Sequence, residues 1–118
     1  MSVGNRLRVQ ASLRLYCAGK AFGPGIAQLL EGVERLGSLR RSAFEMNMSY
    51  SKAWTILRSC EGELGFPLLE RRTGGSGGGG AVLTGRGREF LTRYRAFQAE
   101  ADTLLKQALD RHFSDFPV

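Results

Sequence analysis

Residues 64–84, LGFPLLERRTGGSGGGGAVLT, decide the fold of this chain. Apolar residues typical of β-strands stand on both sides of the glycine run. They are Phe66, Leu68, Leu69, Ala81, Val82 and Leu83. Arg71, Arg72 and Thr73 lead into the run, which predicts a flexible loop. The stretch therefore predicts a β-hairpin with a basic base and a bare tip, whose backbone can approach a phosphate strand closely.

The segment before this hairpin predicts two short helices joined by a tight turn. Ser38 is a good N-cap for the first helix and Ser49 for the second. In the second helix, apolar residues at i, i+4, i+7 and i+11 predict one buried stripe, formed by Ala53, Leu57, Cys60 and Leu64. A helix, a turn and a second helix form the arrangement that places a helix N-terminus in the major groove of DNA. With the hairpin after it, the predicted fold is a winged helix-turn-helix, mainly α with a small amount of β.

Further elements are predicted on both sides of this unit. Apolar and polar residues alternate over residues 6–17, which predicts a half-buried N-terminal strand. Apolar residues recur at steps of three and four over residues 25–36, which predicts an amphipathic helix that ends at Gly37. After the hairpin, an apolar stripe of about seven turns predicts a long last helix.

Length and composition allow one small domain. The chain has 118 residues, of which 42% are hydrophobic, and a chain of this size buries roughly two-thirds of its unfolded surface without a disulfide or a metal. We therefore expect a single domain over residues 1–118. Within it, the helix-turn-helix lies at about 38–64, the wing at about 66–84 and the long helix at about 85–113.

The last helix is longer than the core of so small a domain needs. We therefore expect part of its apolar stripe to form the surface of a homodimer. The alternative is that the helix folds back on the first strand and the first helix of the same chain.

The charge of the chain is unevenly distributed. The formal net charge is +6 and the isoelectric point is about 10.0. Residues 1–95 carry 15 Lys and Arg against 7 Asp and Glu, whereas residues 96–118 carry 2 against 4. The basic part coincides with the presumed DNA-binding part, although a generally basic surface is the alternative explanation.

The two cysteines, Cys17 and Cys60, fit no metal-binding spacing. In a small chain with no recognisable secretion signal we expect both to be free, buried thiols in a reducing cytoplasm. No apolar stretch reaches the 18 or so residues that span a bilayer, so we expect no membrane association.

Polar side chains near the start of the second helix are candidates for contacts with base edges, because hydroxyl and ammonium groups can donate to or accept from them. These candidates are Ser49, Tyr50, Ser51, Lys52 and Thr55. Candidates for contacts with phosphate are Arg40, Arg41, Arg58, Arg71 and Arg72. For any single arginine, a solvated surface position is the alternative. Trp54 could stack on bases, but we assign it to packing.

Residues from about 24 to 94, and above all residues 37–87, GSLRRSAFEMNMSYSKAWTILRSCEGELGFPLLERRTGGSGGGGAVLTGRG, resemble the N-terminal winged helix-turn-helix domain of the ModE family of molybdate-responsive transcription regulators. They are more distantly similar to the LysR-type DNA-binding domain. The segments MSYSKAW at 48–54 and ERRTGGSGGGGAVLT at 70–84 carry most of the resemblance. The resemblance implies a winged helix that dimerises through its first strand and long helices and reads operator DNA with residues 49–55.

The sequence also departs from the pattern of that family. ModE regulators usually carry a pair of small C-terminal β-barrel modules that bind molybdate, and this sequence stops at Val118. We therefore expect no molybdate binding by this chain and no cofactor or metal. We expect a constitutive or otherwise controlled DNA binder, or the DNA-binding half of a split regulator whose sensor is another protein.

Two other functional classes fit the sequence less well than DNA binding. A phosphate-binding enzyme loop needs Lys and then Ser or Thr after its last glycine, whereas Gly80 is followed by Ala81 and Val82. The only histidine, His112, has no catalytic partner pattern, so we expect no enzyme. A protein-interaction module that docks a partner on the long helix stays open, but the polar face of the second helix favours DNA.

Overall fold

The computed structural model describes residues 6–72 and 80–118 of the chain. The elements are β1 (Leu15–Tyr16), β2 (Lys20–Phe22), α1 (Pro24–Leu36), α2 (Leu39–Glu45), α3 (Tyr50–Leu64), β3 (Leu69–Arg72), β4 (Gly80–Leu83) and α4 (Gly85–Phe113). This order confirms the predicted winged helix-turn-helix fold, mainly α with a small amount of β. The glycine loop predicted over residues 73–79 lies outside the described residues.

The helices begin and end where short-range hydrogen bonds fix their termini. Ser38, Ser49 and Thr84 each accept a hydrogen bond from the backbone N–H three residues later, at 3.1, 3.1 and 2.9 Å. These bonds satisfy N–H groups that have no partner inside the helix. Gly37 ends α1 with a φ of 69°, a left-handed conformation that costs glycine little.

The core lies between the three helices of residues 24–64 and the base of the hairpin. α1 and α2 pack closely at Gly32, where a Cβ atom would lie 2.1 Å from the Oγ of Ser42. That hydroxyl is buried and donates to the carbonyl of Leu29 at 2.7 Å. Glycine is therefore needed at this contact, because any side chain would displace Ser42.

The first third of α4 is anchored on this core by aromatic side chains. The ring of Phe22 lies 4.7 Å from that of Phe90 and 4.9 Å from that of Tyr94, and the Tyr94 hydroxyl donates to the carbonyl of Leu13 at 2.8 Å. The buried residues of α4 are Gly87, Leu91 and Tyr94. Its remaining turns therefore extend beyond the core, which gives the chain extents of 60 × 29 × 22 Å.

The prediction of an N-terminal strand over residues 6–17 is wrong for most of its length. Only Leu15 and Tyr16 pair with β2, and a register shift lies between them. β2 has three residues and offers no further pairing, while the preceding residues 7–9 lie beside the second half of α4. A helix cannot pair with a strand because its backbone groups bond to each other. The predicted alternation is observed only over residues 11–16, where half-buried and exposed residues alternate.

The two cysteines differ in environment. Cys60 is buried as predicted, and this burial raises the pKa of its thiol. Cys17 is exposed, so its predicted burial is wrong. The strand ends at Tyr16, and the N–H of Cys17 donates to the carbonyl of Gly19 within the turn to β2, so the alternation does not reach Cys17.

Candidate nucleic-acid interface

The second helix of the helix-turn-helix, α3, has three faces with different surroundings. The core face is formed by Ala53, Leu57 and Cys60, which are buried as predicted. Leu64 completes the stripe but is only half-buried. An exposed face carries Ser51, Lys52 and Thr55. The third face carries Trp54, Arg58 and Glu61 at i, i+4 and i+7, and contacts with the hairpin identify it as the face toward the wing.

Glu61 fixes the base of the wing to α3. One of its carboxylate oxygens accepts hydrogen bonds from the N–H groups of Leu68 and Leu69, at 2.6 and 3.3 Å. Leu69 is then the first residue to pair across the hairpin, opposite Leu83. The first strand of the wing therefore begins three residues later than the apolar residue Phe66 suggested.

The second strand of the wing is held by the turn between α1 and α2. The N–H of Ala81 donates to the carbonyl of Gly37 at 3.2 Å, and Ser38 forms an isolated β-bridge with Gly80. The hairpin is therefore held at two places. The Glu61 side chain of α3 binds backbone N–H groups at the base of the first strand, and the turn between α1 and α2 binds the second strand.

Aromatic rings and guanidinium groups form a row from α2 to the wing. The guanidinium carbon of Arg40 lies 4.2 Å from the centroid of the Tyr50 ring. That ring meets the Trp54 ring edge to face, with centroids 6.3 Å apart and an interplanar angle of 84°. Over the Trp54 ring lie Arg71 of β3 at 4.5 Å and Arg58 of α3 at 5.2 Å. We call these five residues the arginine–aromatic row.

The row brings together four of the ten residues predicted to contact DNA. Arg41 and Arg72 lie outside it and are exposed, on α2 and at the end of β3. Because successive side chains of a strand point to opposite sides, Arg72 shares its side of the wing with Glu70. Arg71 points to the other side, toward α3.

The predicted base-contacting residues differ in the hydrogen-bonding capacity they offer. The Ser49 hydroxyl caps α3 as an acceptor, which leaves its proton available. The Thr55 hydroxyl donates to the carbonyl of Ser51 at 3.0 Å, so its proton is used inside the helix. Ser51 and Lys52 are exposed and Tyr50 is half-buried. That these residues contact bases stays a prediction.

Two residues that organise this surface, Trp54 and Glu61, are not among those predicted from the sequence as site residues. Trp54 is half-buried, and its indole N–H is buried without a hydrogen bond among the described residues. Its ring is therefore held by packing and by the neighbouring cations. The spacing of Trp54, Arg58 and Glu61 carries a signal of a third helix face, but only the position of the wing shows what that face contacts.

The described residues contain no group of three His, Cys, Asp or Glu side chains that could hold a metal ion. Nor does a helix in this part of the chain have the length and apolar character needed to cross a membrane.

A helix-turn-helix followed by a two-stranded wing, with cations from both on one surface, defines a winged helix-turn-helix domain. The family model of the bacterial regulatory helix-turn-helix proteins, lysR family, matches residues 27–88. This match runs from α1 to the first turn of α4 and covers the whole helix-turn-helix and wing. The chain belongs to this family.

Relatives with molybdenum-related names share most of the chain. The molybdenum transport protein ModE of Azotobacter vinelandii is 36% identical over 93 residues, which are 79% of this chain and 34% of the relative. The DNA-binding transcriptional dual regulator ModE of Escherichia coli K12 is 34% identical over 89 residues, 75% of this chain and 34% of the relative. The molybdenum-pterin-binding protein MopB of Rhodobacter capsulatus is 34% identical over 87 residues, 74% of this chain and 32% of the relative. The matched part of the chain thus spans about a third of the length of each relative.

Proposed function

We propose that this chain is a sequence-specific, DNA-binding transcription regulator of the ModE type that acts as a homodimer. The observation that carries the proposal is the arginine–aromatic row. It aligns cations from α2, α3 and the wing along one surface beside the N-terminus of α3. A polyanion with a groove that admits a helix is the ligand that this arrangement fits. The family membership and the names of the relatives support the same class.

In this proposal the exposed start of α3 enters the major groove and specifies sequence. Ser49, Tyr50, Ser51 and Lys52 would contact base edges there. Thr55 would contribute as an acceptor or through its methyl group, because its proton is already used. Arg40, Arg41, Arg58, Arg71 and Arg72 would bind phosphates on either side of the groove.

The homodimer is proposed from the part of α4 that follows Arg95. Phe97 and Leu104 on its apolar stripe are 50% and 55% exposed, and a second copy of the stripe would cover them. Two copies related by a two-fold axis would bind half-sites about one helical turn, or a multiple of it, apart. The alternative is that the chain is the DNA-binding half of a split regulator. A separate sensor protein would then cover the same stripe of α4.

The test separates base contacts from phosphate contacts. A bound sequence is first selected from a random duplex library, with and without molybdate. Tyr50→Ala and Lys52→Ala are each expected to cost about 1–3 kcal/mol on the selected duplex and to relax sequence preference. Arg72→Ala is expected to weaken all duplexes alike and to lower the salt slope by about one unit.

The matched control is Arg111→Ala, which removes the same charge near the end of α4, far from the wing in the chain. It is expected to leave the affinity unchanged. If the three substitutions at the interface weaken selected and random duplexes equally, the assignment of base contacts to α3 is wrong. If no sequence is enriched and no duplex is bound, the proposed function itself is wrong.

A further inference from the structure

The side chain of Trp54 lies where α3 and the wing meet. Its ring is within 4.5 Å of the guanidinium carbon of Arg71 from β3 and within 5.2 Å of that of Arg58 from α3. Two turns further along the same helix face, Glu61 binds the N–H groups at the base of the wing. The wing therefore contacts α3 at two levels, one through its backbone and one through an arginine side chain.

Among the described residues, no hydrogen bond uses the guanidinium group of Arg58 or of Arg71. A guanidinium that lies over an aromatic ring uses its flat face, whereas its five N–H donors point outward in its own plane. The ion pairs among the described residues are Arg35–Glu45, Arg88–Glu34, Arg93–Glu89 and Arg95–Glu31. Neither Arg58 nor Arg71 takes part in them, so no carboxylate of the described residues neutralises either cation.

Such an arrangement suits phosphate, which accepts parallel N–H donors from the edge of a guanidinium. A free arginine loses considerable side-chain entropy when it is fixed on a phosphate. This ordering weakens binding by roughly two- to tenfold for each side chain. An arginine that is already held on a ring has lost much of this freedom before DNA arrives.

We propose that Trp54 is a positioning residue for DNA binding, whose ring holds Arg58 and Arg71 as a pre-organised pair of phosphate-binding groups. Because one arginine of the pair lies on α3 and the other on the wing, α3 and the wing would bind the DNA backbone as one unit. The inference deepens the proposed function and rests on it. It assigns Trp54 a role beyond the packing role predicted from the sequence.

A mutant cycle on a mixed-sequence duplex of about two helical turns tests this role, because phosphate contacts do not depend on sequence. Trp54→Leu is expected to weaken binding about three- to tenfold with little change in salt slope, since both arginine charges remain. Trp54→Phe, which keeps an aromatic face, is expected to retain most of the affinity. In an Arg58→Ala and Arg71→Ala background, Trp54→Leu is expected to have no further effect.

If Trp54→Leu weakens duplex binding by the same factor with and without the two arginines, Trp54 acts only through packing. That result would overturn the inference. Unchanged affinity of Trp54→Leu in the wild-type background would do the same. Phe66→Leu is the matched control, because it removes another arginine–aromatic contact, that of Arg86 at 4.1 Å. It is expected to leave duplex affinity within about twofold. If wild-type protein binds no duplex, the proposed function fails before the cycle is measured.

Tryptophan fluorescence tests the geometry without DNA and without altering Trp54. The chain has one tryptophan, so the whole signal comes from this ring. Removal of a charge close to the ring by Arg71→Ala is expected to shift the emission maximum of the free protein, whereas Arg111→Ala is not. Identical spectra for wild type and Arg71→Ala would place Arg71 away from the ring and overturn the inference, even if Trp54→Leu is too unstable to assay.

Discussion

The first and last parts of α4 belong to two regions with opposite character. The winged body, residues 15–72 and 80–95, has a continuous buried core that includes Leu91 and Tyr94 of α4. The projecting helix, residues 96–113, has no buried residue and leaves Phe97 and Leu104 half exposed. Acidic residues outnumber basic ones from residue 96 onward, whereas basic residues prevail before it.

The difference assigns the two proposed interactions to different regions. A cationic, polar surface is suited to a phosphate backbone and poorly suited to a protein core contact. The acidic residues beside the apolar stripe are repelled by DNA. The stripe itself is covered best by another protein surface. The winged body would then bind one half-site. The projecting helix would join two copies of the chain and so set the spacing between two half-sites.

The largest expected effect comes from a charge placed in the apolar stripe of the projecting helix. If the chain forms the proposed homodimer, Leu104→Glu should dissociate it into monomers, because two carboxylates would lie in or near the shared interface. Affinity for a duplex with two half-sites should fall by about a hundredfold or more, since the advantage of linked binding is lost. Sedimentation and fluorescence anisotropy measure the two quantities.

Ala99→Glu introduces the same charge change at an exposed position on the other side of the helix from Leu104, and it should leave both quantities unchanged. Affinity of Leu104→Glu for a single half-site should equal that of wild type, because the body is intact. A Leu104→Glu protein that remains a dimer would show that association uses a surface other than this stripe.

A smaller effect is expected from two helical glycines of the body that differ only in their surroundings. Gly32→Ala places a Cβ atom in contact with Ser42 and should lower the free energy of unfolding by about 2–3 kcal/mol, as overpacking does. Gly62 has no atom within 4 Å of the position of a Cβ. Gly62→Ala should therefore raise stability by up to about 1 kcal/mol through helix propensity. Urea denaturation followed by circular dichroism measures both.

This pair tests whether close packing defines the body. If Gly32→Ala unfolds at the urea concentration of wild type, Ser42 rotates away at no cost and the contact between α1 and α2 is looser than the structure indicates. A loss of stability in both variants would instead point to a general intolerance of alanine in these helices.

Features that depend on neighbours in the sequence are those that the sequence predicts well. The N-caps Ser38 and Ser49 and the helix end at Gly37 are correct because each requires only a side chain or a φ angle within one turn. The fold follows from the order of such features and is also correct. The residues assigned to bases and phosphates stay predictions, since no DNA-bound geometry tests them.

Features that depend on distant partners are predicted less well. The alternation over residues 6–17 is real, but a strand also needs a partner strand, and β2 provides only three residues. The contact of Trp54 with the wing was not predicted, for the same reason. Its local spacing is that of a packed helix residue, and only the placement of the wing brings Arg71 over its ring.

The smallest expected effect lies at the junction of the winged body and the projecting helix. There Arg95 binds Glu31 of α1 through two hydrogen bonds, of 2.7 and 2.5 Å. The hydrogen bond to Glu31 raises the pKa of Arg95. The raised pKa keeps Arg95 charged at neutral pH, so the strength of this ion pair is tested there by adding salt.

Glu31→Gln should lower the free energy of unfolding by no more than about 1 kcal/mol, because both side chains keep considerable solvent contact. The loss should shrink in about 1 M salt. Glu89→Gln breaks the Arg93 ion pair within α4 alone and should cost less. The packing of Phe22 on Phe90 and Tyr94 would then be what holds α4 on the body. A loss of unfolding free energy above about 2 kcal/mol in Glu31→Gln would show the opposite. The Arg95–Glu31 ion pair, and not the aromatic packing, would then be the main attachment of α4 to the body.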